Sequence, residues 1–272
     1  MKTALITGGS SGLGLETARE LLAQNYKVII TGRSSQKLVN AENKLNSKNL
    51  EWIQNDISDL EQVETLASKI ESLDVLINNA GQMGPPFERS KQGHELQMAT
   101  NHLGHFLLTK LLWAKLNDSS RVIHLSSTVH RKGKPTMSAA ELSGFEDGYD
   151  RWQRYADTKL ACALFGRELD NRAKQAGSSV KSIIAHPGWA RTGLQVHYPS
   201  SFHFLAQNPS QGARSQILAS LTDVSGGEFF GPSLELWGKP KLISGSKDSK
   251  NMGSARELWE QTESLVGNFT VT

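Results

Sequence analysis

The 272-residue chain is poor in several features that mark whole classes of proteins. It has one cysteine, Cys162, which excludes an internal disulfide framework and is typical of a reducing compartment. No stretch approaches the roughly 18 apolar residues that a membrane-spanning helix needs. The apolar run after the N-terminal methionine is short and ends in glycines, unlike a signal peptide. We therefore expect a soluble, cytoplasmic protein with no membrane span.

Concentrated charge and metal-ligand spacing are also lacking. The 30 basic and 27 acidic residues leave a formal net charge of +3, and no run of like charges forms a stripe that would bind nucleic acid. The eight histidines show no H-E-x-x-H or comparable spacing, so no metal is predicted. We expect His102 and His105 to be packed or to face solvent. Cys162, in an apolar helical stretch, is predicted to be a small core residue and not a nucleophile.

Short strand-like runs alternate with longer helical patterns along most of the chain. The predicted strands are 3–7, 27–31, 50–54, 74–79, 121–127, 180–187 and 227–231. The predicted helices are 13–24, 34–46, 59–71, 90–116 and 152–176. This alternation favours right-handed βαβ crossovers and a sheet covered by helices on both faces. We therefore predict an α/β fold, a doubly wound parallel sheet of the Rossmann type with about seven strands, in a single domain spanning 1–272.

Two segments interrupt the alternation. Residues 128–151 join the fifth strand to the next helix, and residues 188–208 carry large aromatic side chains without a clear period. Long irregular segments in compact domains are usually functional loops or lids, so we predict a substrate loop at 188–208; poorly ordered surface is the alternative. The C-terminal extension, 232–272, contains a helical pattern at 254–266 that either caps the substrate site or packs on the core.

The first predicted strand runs into a glycine-rich turn, TGGSSGLG at 7–14, and then into a helix. Glycines let the backbone turn tightly and approach a ligand, and free N–H groups at a helix start suit a pyrophosphate. The strand–turn–helix context favours a dinucleotide site over a turn without a ligand, although the usual spacing is G-x-G-x-x-G. The residues predicted to bind the dinucleotide here are Gly8, Ser10, Ser11, Gly12, Leu13 and Gly14.

An arginine follows the second predicted strand. In dinucleotide-binding folds an acidic residue at this point bonds the ribose 2′-hydroxyl, whereas an arginine accommodates the 2′-phosphate. Here Gly32 stands in the place of the acid and Arg33 follows it. Because a guanidinium is always charged and binds phosphate in bidentate fashion, we predict NADP(H) as the cofactor in preference to NAD(H). The alternative is that Arg33 is a solvated loop cation.

Further motifs follow along the chain in a fixed order. They are INNAG at 77–81, NHLGHF at 101–106, SS at 126–127, YADTK at 155–159 and HPGWART at 186–192. With the glycine-rich turn, this series resembles the short-chain dehydrogenase/reductase family from residue 7 to residue 192. Within the family the chain is most similar to the retinol dehydrogenase-like branch and the related protochlorophyllide reductases, because Ser127 precedes Tyr155 by 28 residues. Membrane-bound members carry an N-terminal anchor, which we expect this chain to lack.

The resemblance implies a catalytic role for four residues. Tyr155 is the expected general acid or base, exchanging a proton with the substrate oxygen as hydride passes to or from the nicotinamide. Lys159 lies one helical turn further on, favours the phenolate and contacts the nicotinamide ribose. Ser127 is expected to bond the substrate oxygen, and Asn101 to anchor a water near Lys159. Ser126 competes with Ser127, but strand alternation lets only one of them face the cofactor, and the family uses the second serine.

The resemblance also implies the remaining cofactor contacts and the substrate class. Besides Tyr155 and Lys159, the expected contacts are Asp56, Ile57, Asn79, Ala80, Gly81, Pro187, Gly188 and Thr192. The substrate implied is a small apolar aldehyde or ketone, or the corresponding alcohol. The family often pairs two helices between subunits, which makes a homodimer or homotetramer an open expectation.

Two other functions stay open. The protein could be a catalytically silent NADP(H)-binding sensor or interaction protein, although a binder without turnover has no need of the acid Tyr155. It could also be a sugar-nucleotide epimerase of the extended branch of the family. That branch has G-x-x-G-x-x-G and a larger C-terminal domain, and this sequence has neither.

Overall fold

The structure is a computed structural model and describes residues 1–191, 193 and 206–272. Its first part alternates strands with helices: β1 (Thr3–Ile6), α1 (Gly12–Ala23), β2 (Lys27–Gly32), α2 (Ser35–Leu45), β3 (Leu50–Gln54), α3 (Leu60–Ser68) and β4 (Leu73–Asn78). A composite helix follows, made of α4 (Leu96–Met98), a π-helical turn (Ala99–Leu103) and α5 (Gly104–Leu112).

The second part contains the long helix α7 and the C-terminal elements. Its order is β5 (Leu116–Leu125), α6 (Ala139–Ser143), α7 (Arg151–Gln175), β6 (Lys181–Ala185), α8 (Pro209–Leu221), β7 (Phe229–Pro232), β8 (Pro240–Leu242) and α9 (Met252–Val266). Within the part of the chain that the structure describes, no helix combines the length and apolar character needed to cross a membrane.

The strands form one sheet in the order β3-β2-β1-β4-β5-β6-β7-β8. Every neighbouring pair is parallel except β7 and β8, which are antiparallel. The doubly wound parallel sheet is thus confirmed, with eight strands among the described residues instead of about seven. The strand order reverses between β1 and β4, so the crevice at their carboxyl ends is the expected ligand site of such a sheet.

Apolar side chains fill a separate core on each face of the sheet. Successive residues of β1 alternate between the two cores: Leu5 lies in one, while Ala4 and Ile6 lie in the other. This double burial explains why the strands read as continuous apolar runs in the sequence. The helix predicted at 254–266 is α9, and its Leu258 and Trp259 are buried in the core, so the C-terminal extension packs on the body of the protein.

The helix predicted over 90–116 is the clearest departure from the sequence analysis. The chain turns at 90–95 and the helix begins only at Leu96, because the buried carboxylate of Glu95 accepts the backbone N–H groups of Gln97 and Met98 and caps the helix there. The π-helical turn then interrupts it, and helical structure ends at Lys115. The prediction of one continuous helix over this range was wrong.

Four buried histidines are expected to make the fold sensitive to acid. Burial lowers the pKa of His102, His124 and His186 to about 3, and that of His105 to about 4. Unfolded histidine has a pKa near 6.5, so below that pH the unfolded chain binds protons that the folded chain does not. The free energy of unfolding therefore falls as pH drops from about 6.5 towards 4, by about 2 kcal/mol per histidine at pH 5.

Urea unfolding at several pH values measures this effect. We expect a much lower midpoint at about pH 5 than at about pH 7.5. In a His124→Gln variant about one proton fewer is taken up on unfolding, which makes the pH dependence shallower. Equal midpoints at both pH values would show that these histidines are not held neutral by the fold.

Candidate active site

A cleft of about 350 Å³ opens at the carboxyl edge of the sheet, where the strand order reverses. Most of the residues predicted to bind the dinucleotide line it. They are Gly8, Ser10, Ser11, Gly12, Leu13, Gly14, Arg33, Asp56, Ile57, Asn79, Ala80 and Gly81. The cleft also has lining residues that the sequence analysis missed, namely Thr31, Gly32, Ser34, Lys37, Asn55, Gln82, Thr100 and Gly193.

The glycine-rich turn leaves the start of α1 open. Gly8 has a φ of +67°, and a Cβ on Gly14 would lie 2.5 Å from the carbonyl oxygen of Gly8. The N-cap residue Ser11 gives the helix no side-chain hydrogen bond, whereas α2, α3, α7, α8 and α9 each begin with a capping side chain. Uncapped N–H groups at the positive end of a helix dipole suit a phosphate, so this turn fits the pyrophosphate of a dinucleotide.

Thr7 fastens this turn to the segment that follows β4. Its Oγ1 accepts the backbone N–H groups of Asn79 and Ala80, both at 3.0 Å. In the other direction, Asn79 Nδ2 donates to the Thr7 carbonyl at 2.7 Å. The two walls of the cleft are therefore held together by hydrogen bonds between motifs about seventy residues apart in the chain.

Positive charge lies at the end of the cleft beyond β2. Arg33 and Lys37 both line the cleft and are exposed. Ser34 lies between them and caps α2, because its Oγ accepts the Lys37 backbone N–H at 3.3 Å. A Cβ on Gly32 would stand 3.0 Å from Ser10 Oγ, so the end of β2 is closely covered by the glycine-rich turn. This end of the cleft offers two cations to an anionic group.

Tyr155 and Lys159 share one face of α7, as their spacing predicts. Lys159 Nζ lies 5.7 Å from the centroid of the Tyr155 ring, and both side chains are buried. Lys159 Nζ donates to the carbonyl of Leu125 at the end of β5, at 3.1 Å. It also stands 3.5 Å from the point that a Cβ on Gly81 would occupy. The pair therefore adjoins the Gly81 end of the cleft, although neither residue lines the cleft itself.

The two serines after β5 have different hydrogen-bond partners. Ser126 Oγ donates to the Lys159 carbonyl at 2.7 Å and is buried. Ser127 is half-buried, and its Oγ accepts the Val129 backbone N–H at 3.5 Å, which leaves its own O–H able to donate. This difference favours Ser127 for the substrate contact.

Asn101 lies inside the π-helical turn, in which the Gly104 N–H bonds the carbonyl of Ala99, five residues back. Its side chain accepts the Gln82 N–H at 2.8 Å and donates to the Gln82 carbonyl at 3.0 Å and to Thr158 Oγ1 at 2.8 Å. These bonds join the segment after β4 to α7. π-helical turns are rare and occur often at functional sites.

Pro187 and Gly188 follow β6 and do not line the cleft. The Gly188 N–H donates to His186 Nδ1 at 3.1 Å, and the Pro187 carbonyl accepts from Gln207 Nε2 at 3.1 Å. Thr192 lies outside the described residues, as does most of the predicted substrate loop at 188–208. The cofactor contacts of these three residues and the substrate loop stay predictions.

The histidines and the cysteine near the site are packed residues. Among residues 1–191, 193 and 206–272, no group of three or more His, Cys, Asp and Glu side chains could hold a metal ion. His102 Nε2 pairs with Thr262 Oγ1 at 2.8 Å in the core, and His105 is also buried. Cys162 is buried, which raises the pKa of its thiol, and Sγ donates to the Asn101 carbonyl at 3.2 Å.

A buried ion pair immediately precedes Tyr155 on α7. Arg154 Nε donates to Glu95 Oε2 at 2.8 Å, and the guanidinium also donates to the carbonyls of Glu141 and Leu142 at 2.8 and 2.6 Å. The pair ties α6 and the start of α4 to the end of α7 that carries Tyr155. The sequence analysis did not predict this pair, because the partners are 59 positions apart and belong to no motif.

Removing one partner of this pair is expected to destabilise the fold strongly. Arg154→Met leaves the Glu95 carboxylate buried without its cation, so we expect the free energy of unfolding to fall by about 3–5 kcal/mol. Urea denaturation measures the change. As a control, Arg131→Met breaks the exposed pair with Glu235 and should lower the free energy by less than about 1 kcal/mol. Similar small losses in both variants would contradict this role for the buried pair.

The chain belongs to the short-chain dehydrogenase/reductase family of oxidoreductases, whose members bind a nicotinamide cofactor. Residues 2–140 match the family model described as short chain dehydrogenase. Human retinol dehydrogenase 13 is 33% identical over 292 residues, covering 98% of this chain and 85% of that protein. The crystal structure of an uncharacterized protein from Mycobacterium Paratuberculosis is 34% identical, with a TM-score of 0.88 over 99% of this chain and 95% of that one.

A more distant solved structure has the same fold. It is described as a short chain dehydrogenase from Shigella flexneri 2a complexed with NADP, and it is 23% identical to this chain with a TM-score of 0.67. The alignment covers 84% of this chain and 95% of that one. The family resemblance of the sequence motifs and its retinol dehydrogenase-like character are therefore confirmed.

Proposed function

We propose that the protein is an NADP(H)-dependent oxidoreductase that interconverts apolar aldehydes or ketones and their alcohols, with Tyr155 as the acid or base. One arrangement carries the proposal. Lys159 Nζ lies close to both the Tyr155 ring and Gly81 at one end of the cleft, while Arg33 and Lys37 line the cleft beyond β2. A proton donor at one end and cations at the other suit a phosphorylated dinucleotide and a carbonyl substrate.

In the reductive direction, the residues of the site would supply the proton that the substrate oxygen needs. A bound nicotinamide dinucleotide supplies the hydride in the reductive direction and accepts it in the oxidative direction. Tyr155 gives its phenolic proton to the carbonyl oxygen, so that the carbonyl gains one hydride and one proton and becomes an alcohol. Ser127 donates a hydrogen bond to the same oxygen. The positive charge of Lys159 favours the negative charge left on the Tyr155 oxygen.

Asn101 and Lys159 would return the proton to Tyr155. The side chain of Asn101 is held by Gln82 and Thr158, so the orientation of the residue is fixed beside α7. We assign to Asn101 the anchoring of a water near Lys159. This water would pass protons between solvent and the active site after each turnover.

Arg33 and Lys37 support the choice of NADP(H). A ribose 2′-phosphate needs cations, whereas the 2′-hydroxyl of NAD(H) is usually bonded by an acid, and Gly32 provides no side chain there. The Shigella flexneri protein, which shares the fold, was solved with NADP, and this is compatible with the choice. We further propose that the enzyme acts in the cytoplasm, where NADPH favours the reductive direction.

The similarity to retinol dehydrogenase 13 supports an apolar substrate. Aromatic side chains lie beside the residues after β6: the Trp189 and Trp237 rings meet edge to face, with centroids 5.9 Å apart. The backbone N–H of Trp189 donates to the Leu236 carbonyl at 2.9 Å, and this bond connects the chain after β6 to the β7–β8 hairpin. We propose that this aromatic region contacts the apolar body of the substrate.

A substrate panel tests the proposal. NADPH consumption is followed with apolar aldehydes and ketones, retinal among them, and with short polar carbonyl compounds of matched reactivity. We expect turnover with the apolar members, and much weaker turnover when NADH replaces NADPH. If NADPH binds but no carbonyl compound is reduced and no alcohol is oxidised, a silent NADP(H)-binding sensor becomes the better account.

A further inference from the structure

His105 is buried between two parts of the site. Its Nε2 lies 2.9 Å from Thr7 Oγ1 in the glycine-rich turn, and its Nδ1 lies 3.1 Å from the carbonyl oxygen of Asn101. The residue is 3% exposed. Burial, helped by the charge of Lys159, lowers the pKa of His105 to about 4. The ring is therefore neutral near pH 7 and has one N–H and one free acceptor nitrogen.

The neighbouring hydrogen bonds determine which nitrogen holds the proton. A carbonyl oxygen can only accept a hydrogen bond. Nδ1 of His105 must therefore carry the proton and donate to the Asn101 carbonyl oxygen. Nε2 must then accept a hydrogen bond from Thr7. The Thr7 hydroxyl already accepts from the N–H groups of Asn79 and Ala80, so its remaining capacity is as a donor. His105 Nε2, at 2.9 Å, is nearer than the competing backbone carbonyl at 3.3 Å.

We propose that His105 is a positioning residue that couples the glycine-rich turn to Asn101 through its Nδ1–H tautomer. The chain of hydrogen bonds runs from Asn79 and Ala80 to Thr7, then to His105, and from His105 to the Asn101 carbonyl. The inference rests on the proposed function, because Asn101 has a role in turnover only there.

The Asn101 carbonyl lies in irregular backbone and is contacted by two side chains. In the π-helical turn the Gly104 N–H bonds Ala99, five residues back, and the pattern of an ordinary α-helix is shifted. Side chains then provide donors to the Asn101 carbonyl: His105 Nδ1 at 3.1 Å and Cys162 Sγ at 3.2 Å. Since a thiol is a weak donor, His105 makes the stronger of these two bonds and fixes the direction of the carbonyl.

Two substitutions each remove one of the two hydrogen bonds of the His105 ring and can keep the other. In His105→Gln the side-chain oxygen can stand in for Nε2 and accept from Thr7, but the donor to Asn101 is lost. In His105→Asn the amide can stand in for Nδ1 and donate to Asn101, but the bond to Thr7 is lost. We expect His105→Gln to bind NADPH within about threefold of wild type and to lose at least about tenfold in kcat.

For His105→Asn we expect the opposite result, in which NADPH affinity falls more than it does in His105→Gln and kcat falls less. Its NADPH affinity, measured by quenching of tryptophan fluorescence, should fall by at least about fivefold, and its kcat should fall less than that of His105→Gln. The proposal would be overturned if affinity and kcat fell in equal proportion in both variants and the losses scaled with the drop in melting temperature. That result would show a purely structural role for His105.

The tautomer can be observed in the unaltered protein without any substrate. Two-bond proton–nitrogen correlation spectra of protein labelled with nitrogen-15 histidine distinguish the two neutral forms, and His105→Gln identifies the signal by its loss. We expect the Nδ1–H form between about pH 6 and pH 8, free and with NADPH bound. The Nε2–H form would overturn the coupling. If no carbonyl compound is turned over, the proposed function fails, yet the tautomer and the two NADPH affinities still decide whether the coupling exists.

Discussion

Replacing Tyr155 with phenylalanine is expected to lower kcat by about 10²–10⁴-fold, the range that one positioned general acid contributes. The change removes the phenolic O–H and keeps the ring, whose centroid lies 5.7 Å from Lys159 Nζ. The cleft is lined by other residues, so NADPH affinity should stay within about threefold of wild type, because no charge or bulk is altered there. The measurements are steady-state kinetics with the best member of the substrate panel and a fluorescence titration with NADPH.

Tyr26→Phe is the matched control. Tyr26 is buried in the core beside the amino end of β2, away from the cleft, so kcat should not change beyond about threefold. Turnover in Tyr155→Phe within tenfold of wild type would remove Tyr155 from the role of proton donor. Complete loss of NADPH binding in the same variant would instead indicate a structural defect and contradict the assigned role.

Replacing Arg33 with alanine is expected to weaken NADPH binding by about 10–100-fold, since a hydrogen bond to a charged group contributes about 1.5–3 kcal/mol. NADH binding should change by less than about threefold, because a ribose hydroxyl does not need the cation. Lys37→Ala should act in the same direction and more weakly, because an ammonium is not a bidentate donor. Dissociation constants for both nucleotides in each variant measure the effect.

Lys44→Ala is the control for loss of a positive charge on the same helix. Lys44 is exposed in the last turn of α2 and does not line the cleft, so both affinities should be unchanged. Raised salt should weaken NADPH binding to wild type more than NADPH binding to Arg33→Ala. Equal losses of NADPH and NADH affinity in Arg33→Ala would mean that Arg33 is a solvated loop cation and that the preference for NADP(H) is wrong.

The sequence predicted the elements whose signals are local. Buried parallel strands read as apolar runs, so seven of the eight strands found among the described residues were predicted from such runs. β8 was missed because its three residues, Pro240–Leu242, have no alternating pattern and form a strand only by pairing with β7. The end of the π-helical turn packs closely against a distant segment, since a Cβ on Gly104 would clash with the Ile57 carbonyl oxygen. No pattern within the helix itself contains that information.

For the site, too, residues in local motifs were predicted from the sequence and links between distant segments were not. The glycine-rich turn, Arg33, Tyr155 and Lys159 were found because each lies in a short motif with a physical reason for its spacing. Lys37 was missed, although its place in the first turn after Ser34 is a signal that could have found it. The links between motifs, such as Glu95 with Arg154, become visible only in the folded chain, since they join segments far apart in sequence.

The most direct test of the central claim is transfer of deuterium to an apolar aldehyde from NADPH that carries deuterium at both hydrogen positions of the nicotinamide C4. The mass of the alcohol product is measured by mass spectrometry after a single turnover. The proposed function predicts an alcohol one mass unit heavier, formed by wild type at least about 100-fold faster than by Tyr155→Phe. An alcohol without deuterium, or no alcohol from any aldehyde while NADPH remains bound, would contradict it.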